Sequence, residues 1–180
     1  MVSIIGRISL CKENPFPHQI PYFYPKFLKM GDTFAITRTS RKIIAQFLDN
    51  YSLEQLNKVP HGFNNNLIWN IAHIVVVQQM LVYNLSGLPM MVSKEMVDLY
   101  KRGTKPEHQV SQAEVDLIRE LLTATIDQSE KDFADGIFKN YNEFTTMTGF
   151  NLKSAEEAMA FNYYHEAVHT GVMMGIRKFI

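Results

Sequence analysis

The stretch "NYYHEAVHTG", Asn162 to Gly171, places His165 and His169 four residues apart with Glu166 between them. On a helix that spacing puts two imidazoles on one face, about a turn apart, where both can reach a single cation. "HEAVH" also fits the H-E-x-x-H pattern of zinc metalloproteases, in which the glutamate is the general base. The rest of the chain argues against protease chemistry. Only eleven residues follow His169, too few for the downstream third ligand of those enzymes, and Gly171 falls one position early for the extended motif. Nor does the pattern contain a strand-rich half that would hold a peptide. Glu166 lies about 100° around the helix from His165, which makes it an outer partner or a surface charge before it is a ligand. No catalytic residue is assigned, and Glu166 stands only as a candidate.

A second polar anomaly appears in "NNLIWNIAHIVVVQQMLVY". Asn66, Asn70, His73, Val77 and Met80 fall on one helical stripe, and the last helix carries a matching one through Ala158, Asn162, His165, His169, Val172 and Ile176. Burying such polar groups without partners costs about 1–3 kcal/mol each, so something must satisfy them. If the stripes face each other, His73 completes three imidazoles, with Trp69 a turn before it as a wall. Three neutral histidines around an open position are the ligand set of catalytic zinc, and imidazole also suits nickel, iron or copper.

Competing readings are more ordinary. A chain with six histidines contains about 0.2 chance pairs at this spacing, so position on the inward face carries more weight than the pair itself. His73 also fits a hydrogen-bonded core histidine, the asparagines before Trp69 fit helix caps, and Asn162 fits a buried amide. Asn66, Asn70, Asn162 and Glu166 are equally the local groups that would line or close a metal site. Tyr163 and Tyr164 flank the site and read as packing residues, Met173 and Met174 as filling. His18, His61 and His108 fall in loops or in the N-terminal segment and read as solvated.

The elements that must position these groups are helical. Phe34, Ile36, Ile43, Ile44, Phe47 and Leu48 repeat near helical spacing and predict a first helix of about 17 residues. "SLEQLNKVP" predicts a turn or two. The second long helix starts in the run Asn64 to Asn66 and ends at Gly87. A short helix is expected at "SKEMVDLY". "SQAE" from Ser111 and "SAEE" from Ser154 have the capping-box form and open the third and fourth long helices. "NEFTTMTGFNL" has room for a little strand between them. Residues 1–30, with "NPFPHQIPYFYPKF", read as an irregular arm, or as a leader upstream of a start at Met30; residues 31–180 read as an all-α four-helix bundle.

Composition narrows the function. Eighteen basic and eighteen acidic side chains cancel, and no Lys/Arg block could track a phosphate backbone, so nucleic acid is not an expected partner. Cys11 is the only cysteine, which rules out an internal disulfide and suits a reducing, cytoplasmic setting. No export signal is legible, and the apolar run "IVVVQQMLVY" is short of a membrane span, so no membrane is expected. Exposed apolar helix faces in such a bundle point to a homodimer.

Two segments carry a family resemblance. "NNLIWNIAHI" is similar to the Asn/Ser, Trp and His signature of the DinB-like (DinB/YfiT-like) superfamily of metal-binding bundles, and "YYHEAVHTGVMMGIRK" resembles its His-x-x-x-His-x-Gly ending. The resemblance covers roughly residues 31–180. It implies a four-helix bundle of up-down-down-up connectivity and one divalent metal, zinc first with nickel, iron or manganese as alternatives, held by His73, His165 and His169. Members of that superfamily include S-transferases and isomerases that use low-molecular-weight thiols. What this implies here is a metal that binds a thiol as thiolate and aims it at a small electrophile, or one that serves hydrolysis. The alternative is a non-catalytic, stress-related metal-binding module.

Overall fold

The computed structural model describes residues 29–180, so the expected arm lies outside the described residues except for Lys29 and Met30. Helix α1 runs Met30–Asn50, α2 Leu53–Asn57, α3 Leu67–Gln79, α4 Lys94–Tyr100, α5 Gln112–Ala134 and α6 Ala155–Ile176. A π-helical turn, Met80–Asn84, continues α3, and β1 (Phe144–Thr145) pairs antiparallel with β2 (Asn151–Leu152) just before α6. Each short or long helix after α1 begins where a side-chain oxygen takes an otherwise free amide: Ser52, Asn66, Ser93, Ser111 and Ser154. Ser111 and Glu114 close the expected capping box. In "SAEE" the Ser154 hydroxyl accepts from the Glu157 amide, but the Glu157 carboxylate takes the amide of Lys153, one residue earlier than the motif predicts.

The four long helices form the all-α bundle that the periodicity predicts. Both α1 and α3 pack against α5 and against α6, and α2 and α4 cover the outer side of α3. As a result α3 is enclosed on all sides, and of its residues only Val77 is less than fully buried. This explains why it is apolar around its whole circumference rather than on one stripe. The segment Leu67–Asn84 has a mean hydropathy of 1.2 and the length of a membrane span, yet 83% of it is buried inside the protein, where the core accounts for its composition.

The apolar repeat that predicts α1 does not all face the core: Ile36 and Ile43 are 42% and 47% exposed. With Met174 they line an open groove of about 640 Å³ between α1 and α6, floored by small residues such as Ala35, Ala167 and Gly171. The buried line of α1 instead runs Phe34, Thr37, Arg41, Ile44 and Leu48. In α6 the buried line passes through Asn162, Glu166 and Met173, and Val172, expected inside, is exposed. His165 and His169 therefore sit on the rim of the buried face, half-buried, rather than at its centre.

Arg41 and Glu166 are a charged pair within the bundle, 3% and 0% exposed. The Arg41 Nε donates to Glu166 Oε1 at 3.0 Å, and Nη2 lies 2.9 Å from the same oxygen as an ion pair. Nη1 donates to the Leu122 carbonyl and to Thr125 Oγ1, both at 2.9 Å, so one guanidinium joins α1, α5 and α6. Glu166 is thus neither a surface charge nor part of the histidine cluster. Removing one member leaves the other charge dry and unpaired. Arg41→Ala is expected to lower stability by about 3–5 kcal/mol in urea unfolding, while the joint change Arg41→Met with Glu166→Leu recovers most of it. Equal destabilisation by the single and joint changes would contradict this account.

Candidate metal centre

His73 comes from the middle of α3, and His165 and His169 come from successive turns of α6, the helix packed along it. Their ring centroids are 5.2, 4.6 and 4.6 Å apart, and one ligand nitrogen from each lies within 4.8 Å of the others. The sequence-predicted trio is therefore brought together. Nitrogens around a tetrahedral zinc at about 2.1 Å are about 3.4 Å apart, so small side-chain rotations would close the group on one ion. Among the described residues this is the His/Cys/Asp/Glu group of that kind, and no carboxylate joins it.

The hydrogen bonds decide which nitrogens are free. His73 Nδ1 lies 2.6 Å from the main-chain carbonyl of Tyr100. A carbonyl only accepts, so Nδ1 carries the proton and Nε2 keeps the lone pair. Tyr100 is the last residue of α4, where helix carbonyls lack intrahelical partners, so this short helix supplies a ready acceptor to the histidine. Trp69 stacks on His73 at 4.6 Å and 14°, and its Nε1 donates to Thr104 Oγ1 just past α4.

A similar argument fixes His169. Asn66 caps α3, its Oδ1 accepting from the Trp69 amide and its Nδ2 donating to the Asn57 carbonyl. Its own carbonyl accepts the Asn70 Nδ2 at 2.7 Å. The Asn70 amide is thereby oriented with Oδ1 toward His169 Nδ1, 2.8 Å away, and that nitrogen must donate. Two of the three rings thus present unprotonated Nε2 atoms, in the manner of outer partners that set the tautomer of metal-binding histidines.

A sequence pattern described as the DinB superfamily matches residues 36–173, well over half of the chain. The chain belongs to the DinB superfamily. No curated protein matches it. In this DinB-superfamily chain the histidine trio can hold one metal ion, and the match covers every member of the trio.

Other expectations resolve individually. Asn66 is both cap and anchor, Asn70 accepts from His169, and Tyr164 is 41% exposed and packs against Phe150 and Phe161. Phe161 in turn stacks beside His165 at 6.2 Å. Met173 is fully buried and Met174 is 46% exposed. His61 is exposed, His108 pairs with Glu114 on the surface, and His18 is outside the described residues. Sequence reasoning missed Arg41, Thr125 and the carbonyl of Tyr100. Arg41 had a legible signal, a charge at helical spacing between Thr37 and Ile44, while a backbone acceptor has none.

Burial pushes the His165 pKa down to about 3, with the neighbouring His169 and His73 adding to the effect. It pushes His169 down to about 4, again helped by His73, and it lowers His73 against the opposing pull of the Tyr100 carbonyl. All three rings are neutral near pH 7 and have lone pairs to offer. Unfolded histidines take up protons below about pH 6.5 while these folded ones do not, so the unfolded state gains as pH falls. The metal-free protein should hold its full histidine contribution above about pH 6.5 and lose it steadily toward pH 4. Urea midpoints measured across that range check this, and a His165→Leu variant should show a shallower slope.

Proposed function

We propose that this protein binds one divalent cation through Nε2 of His73, His165 and His169, and that the centre serves a thiol-dependent S-transfer on a small electrophile. The observation that carries the metal reading is the trio itself: three neutral imidazoles within 4.8 Å, two of them with Nδ1 committed to acceptors. Zinc fits this donor set best, with nickel, iron or manganese as alternatives. A divalent ion held there by His73, His165 and His169 would supply an electrophilic centre able to lower the pKa of a thiol or a water.

The protein's own residues do the rest. Tyr100 and Asn70 hold the rings in one tautomer, Trp69 closes one side, and exposed Val168 and Val172 on α6 flank the histidine pair with apolar surface. Glu166 is committed to Arg41, so it does not fill a coordination position as a fourth ligand. That favours a catalytic centre over a purely storage or structural one, which would be closed by the protein. In the S-transfer the thiol sulfur bonds to the electrophilic carbon, the leaving group departs with its electron pair, and the thiol proton passes to solvent.

Elemental analysis of protein purified without a polyhistidine tag should find about one metal per chain, and His73→Ala or His169→Ala should weaken its affinity by more than about 100-fold. Substoichiometric metal in the wild type after incubation with zinc would end the metal reading. Consumption of an activated aryl chloride should require both metal and a thiol such as bacillithiol or glutathione. Equal turnover with no thiol present would replace S-transfer by hydrolysis.

A further inference from the structure

Five buried side-chain atoms among the described residues lack a hydrogen-bond partner, and three of them belong to one stretch of α6: Asn162 Oδ1, His165 Nδ1 and Glu166 Oε2. Dry polar atoms are normally paired, so a cluster of orphans marks a connection that one water or a small rotation completes. Two of these atoms are complementary. Asn162 Nδ2 donates to Glu166 Oε1 at 2.8 Å, and a carboxylate only accepts, so the amide is oriented with Oδ1 as its free end. Asn162 and His165 are three positions apart on α6, neighbours on the helix surface with Cβ atoms about 5–6 Å apart. The free acceptor and the unpartnered ring nitrogen therefore sit on neighbouring side chains, not bonded to each other in this structure, where a small rotation or one water would join them.

We propose that Asn162 is the positioning residue for His165, accepting its Nδ1–H directly or through one buried water and so presenting Nε2 to the metal. The proposal rests on the metal reading for its purpose, but the hydrogen bond itself exists or fails without a metal. It gives the third histidine what the other two already have, an acceptor of fixed orientation: the Tyr100 carbonyl for His73, Asn70 Oδ1 for His169 and Asn162 Oδ1 for His165. The two asparagines are alike in design. Asn70 is oriented by a carbonyl that only accepts and Asn162 by a carboxylate that only accepts. Behind Asn162 the chain of contacts continues through Glu166 to Arg41 and from there to Leu122 and Thr125 on α5. The buried ion pair then has a use beyond packing, because it anchors the amide that orients a metal ligand. Glu166 Oε2 is the other orphan acceptor nearby, but it belongs to a side chain pulled toward α1, about 100° around α6 from His165.

Two measurements test this. In metal-free wild-type protein near pH 7, long-range proton–nitrogen NMR should show His165 protonated at Nδ1 with Nε2 bare, as for His73 and His169. Protonation at Nε2 of His165 would overturn the proposal. Asn162→Leu, similar in volume but unable to accept, should shift that Nδ1–H resonance and weaken zinc and cobalt(II) binding about 10–100-fold, as outer partners do. Asn70→Leu should act alike through His169. Unchanged cobalt affinity and spectrum in folded Asn162→Leu would also overturn it. Should that variant not fold, the wild-type tautomer decides alone. A wild type that shows Nδ1–H at His165 yet binds no metal sinks the proposed metal function while leaving the Asn162 contact standing.

Discussion

A carboxylate with no access to water sits between the two histidines of α6, and its pairing with Arg41 fixes how that helix is rotated in the bundle. Rotation matters because the buried line of α6 passes through Glu166, leaving His165 and His169 on its edge. Turned the other way, the histidines would be sealed in the core and the carboxylate would lose its cation. A buried charge pair is not in itself a strong source of stability, since desolvation offsets much of its attraction. Its value here is specificity: one rotation of α6 satisfies both charges, and that rotation aims the two imidazoles at α3.

On the α3 side the constraint differs. That helix is enclosed on every face, so each polar atom it carries must be matched inside the protein. His73 finds the last carbonyl of α4, Asn70 finds the carbonyl of Asn66, and Asn66 finds Trp69 and Asn57. The secondary helices α2 and α4 are therefore more than connections. They bring backbone acceptors to a buried helix, and these set the tautomer of His73 directly and that of His169 through Asn70. Burial then keeps the rings neutral, the state in which imidazole offers a lone pair.

The chain is a DinB-superfamily bundle, and the three histidines that its fold brings together, all within the matched residues, can hold a metal ion. Thiol transfer is the article of chemistry proposed for it, supported by a trio that lacks a fourth protein ligand among the described residues and by apolar flanks on α6.

Much of this was already determined by the chain as written. Local signals such as Ser111 with Glu114, the Asn66 cap and the breaks at Gly87 and Gly136 act within a turn or two, so helix existence and most boundaries were legible. The spacing of His165 and His169 is likewise a local fact. Helix faces were harder to read. Ile36 and Ile43 obey helical spacing yet lie outside, because hydrophobicity alone does not tell a core face from a groove between two helices. Around α3 no stripe could define a face, since neighbours cover all of it. The stripes and the resemblance point to His73 as the third imidazole, but only the tertiary structure brings it against a pair some ninety residues away, buries Glu166 against Arg41 and draws the Tyr100 carbonyl to His73. Those are long-range pairings between groups that periodicity treats as equivalent to any other, and packing alone selects them.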